Sequence, residues 1–213
     1  MRVVVEVGPR RCFASALDWP GWCRSGRGAD AALETLAAYT PRYAVVAAEA
    51  GARFPGAAAG LEVVESLAGG GGTDFGIPEA AAAAEAQPLS AAAARRLVSL
   101  LRACWAVFDG VVVGAPEKLR KGPRGGGRDR DAVVAHVVEA EVAYARRMGL
   151  RPAPVDPGDP GSVASLRQAI SEALAAARAG EPMKVKGWLP RYAARRIAWH
   201  VLDHAWEIED RSW

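Results

Sequence analysis

Histidine is scarce in this 213-residue chain, with three in all: His136, His200 and His204. His200 and His204 are four residues apart in a stretch whose apolar residues recur with helical period, so both rings fall on one helical face. His136 lies in a second stretch of helical period. Neutral imidazole is a common ligand for borderline divalent metals, and a pair from one helix with a third ring from a facing helix makes a tripod. Three protein ligands leave a coordination position open for water or substrate, the pattern of catalytic rather than structural zinc sites. Taken singly, each ring is more often a packed core or surface histidine than a ligand; the shared face is what raises the set above that background.

Around this set stand other groups with usable chemistry. Glu139 comes one turn after His136 and Glu207 one turn after His204, so either can orient a ligand or relay a proton, solvated helix acids being the plainer alternative. Arg196 precedes His200 by four residues and shares its side of the helix, which makes it a candidate anchor for a carboxylate of substrate or thiol; a surface charge is the competing reading. The stretch 118–130 carries Lys118, Arg120, Lys121, Arg124, Arg128 and Arg130 against Asp129 alone, with glycines at 122 and 125–127 that predict mobility. Such a loop can attract an anionic thiol cofactor, less readily a nucleic-acid phosphate, or simply be a solvated basic loop. No Gly-Lys-Ser/Thr ending follows its glycines, so it is not a phosphate loop. No Ser-His-Asp set or dinucleotide fingerprint is visible.

The elements that must position these groups fall into two textures. Residues 1–72 read as a small α/β unit of β-β-β-α-β order. It opens with the β-branched run Val3-Val4-Val5-Glu6-Val7, then a strand from Cys12 to Leu17 closed by Asp18-Trp19-Pro20-Gly21. A third strand at Trp22–Ser25 precedes a helix capped by Asp30 and running toward Ala48, with Pro41 placed to kink or break it. A last strand spans Leu61–Leu67. The glycines 69–72 mark a flexible boundary, and 73–88 a connector in which Phe75 is expected to plug the core. From residue 89 the period becomes helical, with predicted helices from Ser90 to Phe108, from Asp129 to Gly149, from Ser162 toward Gly180, and after Pro190. Four amphipathic helices predict a bundle, and the expected class is α+β. Trp199 and Trp206 flank the ligand pair on other faces and are expected to pack on the bundle or the N-terminal unit, with Trp19 and Trp22 at the domain contact.

Composition bounds the partners. Half the residues are hydrophobic (51%), enough for a substantial core, and a net charge of +3 from 27 basic and 24 acidic residues gives no reason to expect nucleic acid or a membrane. Cys12, Cys23 and Cys104 are odd in number and lack paired metal-ligand spacing, which predicts free thiols in a reducing compartment. The N-terminus lacks a signal-peptide core, and no uninterrupted apolar run of about 20 residues is present. The expectation is a soluble, cytoplasmic protein; a homodimer is compatible with it.

Two resemblances extend this reading. FASALDWPGWCRSGRGADAALETL, within 1–72, resembles the HicB-type antitoxin fold, in which a strand ends in a Pro-Gly turn, another follows, and an Ala/Glu/Leu-rich helix closes the unit. No helix-turn-helix accompanies it here, so regulation of DNA is not implied. GPRGGGRDRDAVVAHVVEAEVAYARRMG, followed by RYAARRIAWHVLDHAWEIEDR, resembles the DinB/YfiT-like superfamily of metal-binding four-helix bundles across 89–213. In that family one ligand histidine follows a Gly-rich loop on the second helix and two more form H-x-x-x-H on the last, which match His136, His200 and His204. Arg128 stands where the family commonly has a tryptophan. The resemblance implies a divalent ion, zinc foremost and nickel or iron as alternatives, and a low-molecular-weight thiol. It implies a metal-dependent thiol S-transferase or isomerase acting on a small-molecule thiol or electrophile. A non-catalytic metal-binding or partner-docking protein is the alternative, and a regulator descended from antitoxins a third.

Overall fold

β1 (Arg2–Val7) buries Val3, Val4 and Val5 in succession, so both of its faces are covered. The computed structural model of the chain describes residues 1–122 and 125–212. In it β1 pairs antiparallel with β2 (Cys12–Ala16), and β2 with β3 (Cys23–Gly26). β4 (Glu62–Ala68) lies parallel to β1, giving the order β3-β2-β1-β4. A parallel partner requires a crossover, and α1 (Ala29–Ala38) and α2 (Thr40–Glu49) supply it. β2 is buried throughout because its alternating side chains serve two layers: Cys12, Ala14 and Ala16 join Ala32 and Leu36 of α1, while Phe13 points the other way.

The sequence predicts one helix between β3 and β4; the structure has two. Pro41 cannot donate a backbone hydrogen bond and sits in the first turn of α2, where that donor is not needed. Asp30 lies inside the first turn of α1 rather than capping it, the residue before the helix being Gly28. The observed order is therefore β-β-β-α-α-β.

The glycine run is also more ordered than its composition suggests. Gly69 N–H donates to Val7 O at 2.8 Å, and a short helix α3 (Gly71–Phe75) begins within the run. The buried carboxylate of Glu6 organises the segment beyond it, accepting from the Thr73 hydroxyl, from Glu79 N–H at 3.1 Å and from Ala80 N–H at 3.0 Å. A 3-10 turn at Ala83–Ala86 then buries Glu85. Phe75, expected as a core plug, is 83% exposed; Thr73 is the residue of α3 that goes inside.

The remaining chain is built from α4 (Ala91–Gly114), α5 (Arg130–Arg147), α6 (Pro160–Ala176) and α7 (Pro190–Arg211). Ser90 caps α4, its hydroxyl accepting from Ala93 N–H at 3.1 Å, and the helix continues past the expected end at Phe108 through Val111-Val112-Val113. Asp159 caps α6 through Gly161 N–H at 2.9 Å, so that helix starts before Ser162. Pro190 opens α7 as expected. α4 packs on α7, α6 and α2, and α5 on α7 and α6. The architecture is mixed α+β, a four-stranded sheet followed by helices. Among the described residues α4 alone is long and apolar enough to cross a membrane, with mean hydropathy 1.7 over its best window; here Leu100, Leu101 and Phe108 are buried in the protein core.

One hydrophobic core runs from Val3 and Trp22 through Leu101 to Ile208. Trp19 and Trp22 pack with Tyr43 and Phe54 within the N-terminal unit, at centroid distances of 4.8–6.1 Å. The contact with α7 is made by the turn between them: Gly21 has φ +92°, and a β-carbon there would come within 2.7 Å of Leu202. Glycine is required on both counts. Trp199 and Trp206 meet the N-terminal unit as anticipated, Trp199 edge-on to Phe13 and Trp206 edge-on to Tyr39.

Candidate metal centre

α7 is the central helix of this half, with every residue from Tyr192 to Leu202 buried. Such a helix usually reads as continuously apolar, yet this one carries Arg195, Arg196 and His200 inside. Each therefore needs a partner, and the partners they have differ.

His200 and His204 lie one turn apart with ring centroids at 4.6 Å. His136 of α5 faces both, at 5.1 Å from His200 and 4.9 Å from His204. One ligating nitrogen from each ring falls within a span of 4.8 Å. Atoms bound to a single zinc at about 2.0–2.1 Å are at most about 4 Å apart, so small ring rotations suffice to close the set. The three sequence-predicted ligands are thus brought together.

The electrostatics favour the ligand form of two of the rings. Burial, with added repulsion from His204 and Arg196, holds His200 well below the usual histidine range. Burial first, then His204 and Arg128, lowers His136. A neutral imidazole keeps a lone pair for a metal. His200 Nδ1 is buried with no hydrogen-bond partner among the described residues. A buried polar atom left unmatched costs about 1–3 kcal/mol. The donor set, the lowered His136 and His200 and this unmatched nitrogen all fit a divalent ion of the borderline class.

Of the two acids expected nearby, the structure selects one. Glu207 Oε2 lies 2.7 Å from His204 Nδ1, which fixes the ring and leaves Nε2 for the centre. That hydrogen bond is also the main reason the Glu207 carboxyl sits below its ordinary range. Arg211 braces Glu207 from the next turn at 2.9 Å, a helper whose i,i+4 spacing was visible in the sequence but went unassigned. Glu139 is exposed and makes no hydrogen bond or ion pair among the described residues; only its charge reaches His136.

Arg196 is 6% exposed, so the surface-charge reading does not hold. Its guanidinium lies over Trp199 at 4.5 Å and over Tyr144 at 5.1 Å, and it makes no ion pair among the described residues. Tyr144, assigned from sequence only to the apolar stripe of α5, stands edge-on to His200 at 5.6 Å and beside Trp188 at 5.1 Å. Aromatic walls thus line the histidine set on the Arg196 side.

The basic loop is tied down where it is described. Arg120 N–H donates to Arg211 O at 2.9 Å, Gly122 N–H to Gly126 O at 2.8 Å, and Lys121 pairs with Asp129. Arg124 lies outside the described residues. Arg128 is exposed and remains the loop charge felt by His136, His200 and Glu207. The three cysteines are free and buried; burial pushes the Cys23 thiol up to about 11 and Cys104 higher still. Neither offers a thiolate nucleophile. The chain matches no protein-family model, and no curated protein or solved structure is significantly similar to it.

Proposed function

We propose that residues 89–213 form a DinB-like four-helix bundle carrying one divalent metal ion on His136, His200 and His204, with 1–72 as a HicB-like unit docked on it. In this reading the protein is a thiol-dependent transferase or isomerase for a small-molecule thiol or electrophile. The observation that carries it is the convergence of all three histidines of the chain, from two helices, within a 4.8 Å span. A divalent ion held there would supply Lewis acidity, lowering the pKa of a thiol or water toward its nucleophilic form. The protein's own residues do the rest. Glu207 fixes the His204 ring through Nδ1, and Arg211 holds Glu207 in place. His136 is only part-buried, which gives small molecules a path to the rings, whereas His200 forms the closed inner wall. No cysteine is positioned to attack, so the nucleophile comes with the substrate. Zinc is the first choice, with nickel or iron suiting the same ligands.

A non-catalytic metal-binding role is the second reading. It draws on the position of the apolar cleft of about 600 Å³ between α4, α5 and α6, which is lined by Trp105, Phe108, Val134 and Val138 and excludes the histidines. Metal content tests the centre: the untagged wild-type chain is expected to hold near-stoichiometric zinc, and His200→Ala and His204→Ala to lose it. Retention by both variants refutes the site. A thiol-transfer assay over a panel of low-molecular-weight thiols then separates catalysis from binding alone.

A further inference from the structure

We infer that Arg196 is the receptor for a carboxylate, so that the thiol or substrate reaching the histidines is a small acid. This rests on the reading of the three histidines as a metal centre. Arginine cannot shed its charge in a protein, and one that is 6% exposed has exchanged its water for something. Its neighbour shows what a structural arginine looks like here: Arg195 is held by both oxygens of Glu85, at 2.7 and 2.9 Å, and by Ala80 O at 2.9 Å. Arg196 has no such set. Its side chain makes no hydrogen bond among the described residues, and one terminal nitrogen is sealed from solvent without a partner.

What it does have is orientation. Trp199 and Tyr144 hold the guanidinium through cation–π contacts, which leave its N–H fork unspent. That fork matches a planar carboxylate. Four residues on, His200 presents an unmatched buried nitrogen from the same side of α7. A metal ion answers His200, and a ligand on that ion carrying an acid group would answer Arg196. The aromatic walls favour a compact monoanionic carboxylate over a phosphate, which would call for a second cation in contact.

The test compares 3-mercaptopropionate with its neutral counterpart 3-mercapto-1-propanol, titrated calorimetrically against the zinc-loaded full chain. The acid is expected to bind roughly ten- to a hundredfold tighter in wild type, the usual worth of a charge-assisted hydrogen bond. Arg196→Met is expected to bring the ratio near unity with zinc content unchanged, and Arg196→Lys to give an intermediate ratio. A ratio near unity in wild type, or an undiminished ratio in Arg196→Met, overturns the inference. Where Arg196→Met does not fold, the wild-type ratio and the lysine variant decide it. Should the wild type hold no zinc, the metal reading fails on its own. The same two probes against the metal-free chain then judge Arg196: acid binding that disappears in Arg196→Met supports it, and no preference for the acid in wild type overturns it.

Discussion

Two consecutive arginines on α7 face opposite fates. Arg195 points toward the 3-10 turn at 83–86 and meets a carboxylate as deeply buried as itself, the two side chains being 4% and 3% exposed. Glu85 in turn accepts from Ala82 N–H at 2.8 Å, so every charge in that region is answered. Arg196 points toward α5, where it meets aromatic rings and keeps one buried nitrogen unmatched. Both regions bury charge, but only the first balances it within the chain. Saturated burial marks the joint that locks the 73–88 segment to the helices, whereas the unsaturated burial beside Arg196 is where the proposed ligand would complete the molecule.

The comparison predicts opposite responses to the loss of one group. Glu85→Ala strands Arg195 in the interior and should destabilise the chain by about 3–5 kcal/mol in urea denaturation, the usual penalty for breaking a buried pair. Zinc content should be untouched at any denaturant concentration that leaves the fold intact. Replacing both members, Glu85→Leu with Arg195→Met, should recover most of the loss, because apolar residues of similar volume carry no desolvation penalty. A loss below about 1 kcal/mol for Glu85→Ala would place this pair with ordinary surface bridges and remove the contrast.

Much of this site was legible in the chain itself. The H-x-x-x-H spacing puts His200 and His204 on one face by helix geometry alone, and the apolar period around His136 put it on a helix able to face them. Choosing between Glu207 and Glu139 was not possible by spacing, since both follow a histidine by one turn; packing left one against His204 and the other in water. Arg196 could be placed on the His200 side, but not buried, because burial of α7 depends on α4 and α5 arriving together, with Phe13 of β2 against Trp199. The same limit explains the connector. Glycines 69–72 lower local order in isolation, yet Glu6, distant in sequence, gathers Thr73, Glu79 and Ala80 over the sheet. Phe75 then turns outward because Thr73 carries the polar contact that must be inside.

Within the unsaturated region, Glu207 sharpens the comparison because it is the one fully answered group there. Glu207→Gln keeps the size but loses the charge shared with His204 and Arg211. Such outer partners of a metal-bound histidine typically contribute 10–100-fold to affinity, so zinc binding measured by chelator competition should weaken by about that factor. The fold should change little, since Glu207 is part-exposed. Unchanged affinity would mean that the His204 hydrogen bond serves the helix rather than the centre.

The smallest and most discriminating effect concerns the metal-free, ligand-free chain. Arg196→Met removes a buried charge that nothing in the chain compensates, and methionine keeps the apolar stem against Trp199 and Tyr144. The lost cation–π contacts are worth about 0.5–2 kcal/mol, while an uncompensated buried ion costs several kcal/mol even after relaxation. The variant should therefore be more stable than wild type by about 1 kcal/mol in urea, the reverse of Glu85→Ala. A loss of about 2 kcal/mol or more instead would mean that Arg196, like Arg195, has its counter-charge within the fold, and the two sides of α7 would no longer differ in kind.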